Sequence, residues 1–232
     1  MFHGKMKALT FSYDDGVTQD QRLIALFNKY GLKATFNLNS GLLGKPGSLI
    51  RQEVTVAHVK PRASEVPGIY AGHEVAAHTL THPTLTTCTD EEIIRQVYED
   101  AKALSELVGI PVDGMAYPGG GVNYDDRVAE LIRTHTSMKY ARTTESNGRF
   151  DLQTDLFRFH PTVYHMDMDA MEALGERFLA LSPDRPQLFY IWGHAYEFDI
   201  GNTWDRFERF CARMVGHDDI FYGTNREVLL DR

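Results

Sequence analysis

Two histidines, His78 and His82, stand four residues apart in the stretch EVAAHTLTHPTL, with Pro83 directly after the second. Residues at this spacing share a face of a helical turn, so both imidazoles are expected to reach one ion from a single turn. The proline disfavours right-handed helix at His82 and should end that turn. Two imidazoles and one carboxylate form a ligand set that leaves positions open for water, as catalytic zinc requires. Asp14 and Asp15, in SYDDG, are the natural source of the carboxylate. Adjacent carboxylates repel unless a cation compensates. One aspartate can therefore bind the metal while the other faces the attacking water as a base.

Stepping outward, the apolar patterning supplies the elements that must carry these residues. MKALTFSY (6–13) reads as a strand ending at a DDG turn, and TQDQRLIALFNKYG (18–31) as a helix stopped by Gly31. KATFNLNS (33–40) is a second strand. Residues 41–68 are irregular, rich in Gly, Pro and charge, and are expected to hold an inserted loop. HEVAAHT (73–79) is strand-like. TDEEIIRQVYEDAKALSELVG (89–109) is the clearest helix, with Thr89 as cap, Glu92 at the capping-box position, and Ile93, Val97, Ala101, Leu104 and Val108 on one face. DGMAYPGG (113–120) reads as strand and turn, YDDRVAELIRTH (124–135) as helix, MKYART (138–143) as strand and LFRFHPTVYH (156–165) as an extended segment. DAMEALGERFLAL (169–181) is a helix, PQLFYIWGH (186–194) a strong strand, TWDRFERFCARMVG (203–216) a helix and DIFYGT (219–224) a last strand. About seven strand–helix alternations imply a mainly parallel sheet, as a barrel or an open doubly wound sheet. The polar clusters DDG, HTLTH, YPGG and GH all follow apolar runs, as they would at the mouth of a (β/α) barrel.

The 232 residues, 43% hydrophobic, suffice for one core, and a single domain over 1–232 is expected. The formal charge of −8, without a basic run, argues against nucleic acid as partner. No run of about 18 apolar residues exists, so no membrane partner is expected. The N-terminus lacks a signal-peptide pattern, and Cys88 and Cys211 form no disulfide framework; both point to a cytoplasmic protein. Nothing in the patterning indicates an oligomeric state.

SYDDG (Ser12 to Gly16) followed by GHEVAAHTLTHP (Gly72 to Pro83) resembles the polysaccharide deacetylase family, the NodB homology domain of carbohydrate esterase family four. YPGG (Tyr117 to Gly120) resembles the third motif of that family and WGH (Trp192 to His194) its fifth, so the resemblance runs from residue 7 to about 228. It implies a distorted (β/α) barrel of about seven strands and a divalent metal, usually Zn2+, with Co2+, Ni2+ or Fe2+ as alternatives. It implies Asp15, His78 and His82 as metal ligands, Asp14 as general base, a backbone N–H of Tyr117 for the oxyanion and His194 as general acid. Asn39, Arg142, His165 and Trp192 are the residues expected to meet substrate.

Two departures stand out. Met115 occupies the place where the third motif has an arginine that pairs with the base, and Arg142 is the candidate substitute from across the mouth. The fourth motif, an Asp–Trp pair that orients the acid histidine, has no clear match; Asp155, Glu145 and Glu197 are the possible orienters. The expected reaction is metal-dependent removal of an acetyl group, N-acetyl rather than O-acetyl, from an acetylated sugar or oligosaccharide. The alternatives are hydrolysis of another C–N bond (formamide, cyclic ureide or imide) on the same fold, and a catalytically silent carbohydrate-binding domain.

Overall fold

In the computed structural model, which describes residues 1–230, the apolar runs become a curled parallel sheet wrapped by helices. In chain order the elements are β1 (Lys7–Asp14), α1 (Asp20–Tyr30), β2 (Thr35–Leu38), β3 (Ser48–Arg51), β4 (Val54–Ala57), α2 (Val66–Ile69), β5 (Glu74–Ala77), α3 (Asp90–Val108), β6 (Gly114–Ala116), α4 (Asp126–His135), β7 (Tyr140–Arg142), β8 (Val163–Tyr164), α5 (Met168–Leu179), β9 (Gln187–Gly193), α6 (Glu197–Gly201), α7 (Trp204–Met214), β10 (Ile220–Tyr222) and α8 (Asn225–Leu229). The strand order is β7-β6-β5-β2-β1-β9-β8, and β10 also pairs with β1. The gap between the edge strands β7 and β8 is spanned by a parallel bridge between Arg142 and Phe159. This is the distorted (β/α) barrel that the sequence implies.

β1 is the axis of the sheet, and all eight of its residues are buried. It pairs with β9 from Lys7 to Tyr13. Its other neighbours divide its length: β10 takes Lys7–Leu9 and β2 takes Ser12–Asp14. A parallel strand covered on both faces reads as a near-continuous apolar run, which is why KALTFSY was legible. Because the strands are parallel, their C-terminal ends, and hence Asp14, Asn37, His78, Arg142, His165 and His194, come to one mouth.

The helices follow their periodicity. α1 ends at Gly31, whose φ of 66° is the left-handed conformation that glycine adopts freely. Thr89 caps α3, its Oγ1 accepting from the Glu92 N–H at 3.3 Å, a contact worth about 1 kcal/mol. The expected capping box does not close: the Glu92 carboxylate instead accepts from Arg95 and from Gln96. Asp100 of the same helix is buried, accepting from the His78 N–H at 2.9 Å and the Ser40 N–H at 2.7 Å, so α3 braces the end of β5.

Two segments differ from their expected form. The irregular 41–68 stretch contains an antiparallel hairpin, β3–β4, whose strands are mostly exposed. The extended 156–165 segment is mainly a 3-10 turn and loop, with only Val163–Tyr164 in the sheet. The first lacks sustained alternation because few of its residues meet the core; the second is largely buried, but its 3-10 turn and the loop after it break the strand period. No helix among the described residues is long and apolar enough to cross a membrane.

Candidate active site

The mouth holds a cleft of about 790 Å³. On one side Asp15, His78 and His82 place one ligand atom each within 4.8 Å of one another. Asp15 Oδ1 lies 3.8 Å from His78 Nε2 and 3.5 Å from His82 Nε2. The His78 Nδ1 is 2.9 Å from the Ala116 carbonyl, which only accepts; Nδ1 therefore carries the hydrogen and Nε2 keeps a lone pair for the cleft. Burial pushes the His78 imidazole down to about 4 and lowers His82 as well. Burial alone would raise Asp15, but a hydrogen bond from His58 and the charges of His194, Lys60 and His78 hold it well below the usual carboxylate range. Two neutral imidazoles and an ionised carboxylate are the protonation states that a divalent ion needs, so these residues fit one.

The route by which the two histidines meet is not the helical turn suggested by their spacing. Residues 78–82 form no helix; Thr79 (φ 67°) and His82 (φ 62°) are both left-handed, and Asp15 has φ 80°. Pro83 excludes right-handed helix at His82, and the loop doubles back to bring the ring centroids to 4.9 Å. Asn39 holds this loop, its Nδ2 donating to the carbonyls of His78 (2.5 Å) and Thr79 (2.8 Å). Asn39 lines the cleft, but its amide serves the metal loop.

Beside this group, Asp14 is 1% exposed. Both of its oxygens accept from Nη2 of Arg142, and Oδ1 also accepts from Asn37 Nδ2 at 2.8 Å. Asn37 is its register partner on β2. Arg142 is fully buried and lies over the Trp192 ring at 4.7 Å. It therefore supplies the cation missing at Met115, reaching Asp14 across the barrel. The expectation that Arg142 meets substrate is corrected: it is fully buried and lies behind Asp14.

The opposite wall carries His194 and Glu197. Glu197 Oε2 accepts from the His194 N–H at 3.0 Å, and Oε1 lies 3.1 Å from His194 Nδ1, close enough for an ion pair though off-line for a hydrogen bond. Burial opposes charge on His194, but Glu197 and then Asp15 and Asp14 outweigh it and raise the imidazole to about 9. Glu197 also meets His165 Nε2 at 2.7 Å and accepts from the Tyr164 hydroxyl. Among the three candidate orienters, Glu197 is the one at the site. Asp155 pairs with Arg133 and Arg158, and Glu145 accepts from Tyr124.

Two further expectations are corrected. His165 is 1% exposed, packed under Gly193 and Phe198 with its ring nitrogens facing Glu197 and Tyr13, so it buttresses Glu197 and does not face the cleft. The Tyr117 N–H already donates to the Arg142 carbonyl at 2.9 Å, because the β6–β7 pairing runs on past Ala116. Its ring is buried and its hydroxyl donates to the Phe157 carbonyl. Gly119 and Gly120, next along, line the cleft instead. Trp192 is where it was expected, in the cleft wall and stacked on Tyr164 at 4.5 Å. Trp204 is core, as its helical position suggests. His58 and Lys60 also line the cleft and were not anticipated; they sit in the irregular segment, where periodicity gives no signal. Glu197 carried a local signal, three residues beyond His194.

The sequence profile of the family described as polysaccharide deacetylase matches residues 3–138. Chitin deacetylase 1 of Cryptococcus neoformans is 29% identical over 151 residues, covering 64% of this chain and 28% of that protein. A peptidoglycan-N-acetylglucosamine deacetylase of Listeria monocytogenes is 28% identical over 129 residues, covering 54% of this chain and 24% of that protein. The chain thus spans about a quarter of the length of these curated relatives. Among solved structures, the family 4 carbohydrate esterase from Streptomyces lividans, in complex with acetate, superposes with a TM-score of 0.57 at 17% identity, covering 95% of this chain and 92% of that one. A family 4 pseudoenzyme from Bacillus anthracis superposes with a TM-score of 0.57 at 16% identity, covering 96% of this chain and 65% of that one. The fold alone therefore does not distinguish a working site from a silent one.

Proposed function

The chain belongs to the polysaccharide deacetylase family, and from that premise we propose that it is a metal-dependent hydrolase removing N-acetyl groups from a sugar or oligosaccharide. The observation that carries the proposal is the pairing, across one cleft, of a buried Asp14 held by Arg142 and Asn37 with an imidazole at His194 raised to about 9. A silent descendant has no need to keep a carboxylate so held and an imidazole so raised in one cleft. The relatives named for chitin and peptidoglycan support an acetylated amino sugar as substrate.

Asp15, His78 and His82 would hold the ion, with zinc favoured by two imidazoles and one carboxylate. Bound there, it would supply a Lewis acid that makes water a nucleophile near neutral pH and polarises the acyl oxygen. Asp14 takes the proton of the attacking water as the new C–O bond forms. Arg142 and Asn37 fix the carboxylate that does so and leave it little freedom to rotate. As the C–N bond breaks, His194 gives its proton to the departing nitrogen, and acetate and a free amine result. Gly119 and Gly120 line the cleft on a turn that the Asn123 amide holds through the carbonyls of Tyr117, Pro118 and Gly119, and their N–H groups would be the oxyanion donors. Trp192 and Tyr164 offer an apolar wall to a sugar ring or an acetyl methyl.

The test is acetate release from N-acetylglucosamine, its oligomers and acetylated xylan, using chelated protein with and without restored zinc. Zinc-dependent release supports the proposal, and the best substrate names the class. Zinc bound without release from any of them would count against acetyl removal and favour another C–N bond.

A further inference from the structure

The hairpin β3–β4 is mostly exposed, yet a buried lysine follows it: Lys60 is 6% exposed. From Ala57 to Lys60 the chain is tied to the turn that carries Asp15. Gln19 Nε2 donates to the Ala57 carbonyl at 2.8 Å, and the Thr18 N–H donates to the Val59 carbonyl at 2.9 Å. Lys60 Nζ donates to the carbonyl of Asp15 itself, whose φ of 80° needs such restraint. Between these contacts, His58 Nε2 lies 3.1 Å from Asp15 Oδ2. The His58 ring also packs edge-to-face with Tyr196 at a centroid distance of 5.3 Å.

The two oxygens of Asp15 thus have different surroundings. Oδ1 faces His78 and His82 at 3.8 and 3.5 Å, whereas Oδ2 faces His58. An ionised carboxylate only accepts, so the hydrogen between them sits on His58 Nε2. We propose that His58 is a positioning residue for the metal centre: by donating to Oδ2 it holds Asp15 as a one-oxygen ligand, with Oδ1 turned toward His78 and His82. This rests on the reading of Asp15, His78 and His82 as the ion's ligands. A carboxylate binding through both oxygens would take a coordination position that water or the acyl oxygen needs. The hairpin β3–β4 and the residues after it thereby become part of the site, although they supply no ligand.

The experiment is a zinc titration of the metal-free full chain, against a chromophoric chelator, for wild type, His58→Ala and His58→Gln. Thermal melting of each metal-free form checks folding, and the visible spectrum of bound cobalt reports coordination number. Outer partners of ligands commonly change affinity by about ten- to a hundredfold. The expected result is a loss of that size in His58→Ala with an unchanged melting temperature and a cobalt spectrum shifted toward higher coordination. Glutamine, which can donate from a similar position, should restore both close to wild type. Equal zinc affinity in His58→Ala and wild type would overturn the proposal. So would a loss that glutamine does not repair, since a hydrogen-bond donor would then not be what matters. Absence of zinc binding by the wild type would instead overturn the metal-centre reading itself.

Discussion

Two walls of one cleft use histidine in opposite ways. On the β5 wall His78 is buried beside the Asp15 carboxylate and is pushed down to about 4. On the β9 wall His194, half-buried beside Glu197, is raised to about 9. Burial opposes the charged form in both. What differs is the set of neighbours: at His78 the pull of Asp14 and Asp15 is countered by His82 and Arg142, whereas Glu197 addresses both the backbone and the ring of His194. The same side chain is thus held neutral on one side and cationic on the other, the states that the proposed ligand and the proposed acid need. Burial and partners together decide the charge state: His78 is the more deeply buried, and His194 has the closer carboxylate.

The comparison breaks most completely if the ligand wall is removed. His78→Ala should abolish zinc retention and reduce acetate release to background, read as zinc content and activity of the same sample. Next in size is Asp14→Asn, which should lower kcat by about 10²–10⁴-fold while zinc content stays at the wild-type level. Retained activity would remove Asp14 from the role of base.

Arg142→Met tests the cation that holds Asp14 between the walls. Asp14 would be left buried without its cation, so stability should fall by about 3–5 kcal/mol in urea denaturation. The double variant Asp14→Asn, Arg142→Met should recover part of that loss, because no lone charge remains buried. An additive double variant would show that the pair is not coupled.

Glu197→Gln has the smallest expected effect and sharpens the comparison most. Turnover needs His194 protonated, so activity should fall as pH rises through its pKa. Removing the carboxylate that raises that pKa should move the alkaline limb of kcat to lower pH and cost about tenfold at neutral pH. The metal-free protein gives a second reading of the same shift. A histidine raised from 6.5 to about 9 contributes stability that is complete below about pH 6.5 and lost as pH climbs toward 9. Glu197→Gln should flatten that decline, and an unchanged slope would deny the coupling.

Sequence alone singled out the residues that meet in the cleft, because they sit in short motifs: Asp14 and Asp15 in the turn that ends β1, His78 and His82 after β5, and His194 after β9. It also determined the helices, because an amphipathic period of 3.6 is a local property, as in α3 with Ile93, Val97, Ala101 and Leu104 buried on one face. It misjudged how His78 and His82 meet, since spacing does not show whether a turn is right- or left-handed.

Only the tertiary structure decided the partners of those residues. Arg142 finds Asp14 across 128 positions of sequence, and the register of β6 on β7 occupies the Tyr117 N–H. Glu197, and not Asp155 or Glu145, reaches His194, while His165 turns away from the cleft to hold Glu197. His58 and Lys60 arrive from a segment without periodicity. The physical reason is common to all of them: a side chain's own chemistry is fixed by its type, whereas its charge state and hydrogen bonds depend on neighbours that strand order and register bring from far along the chain.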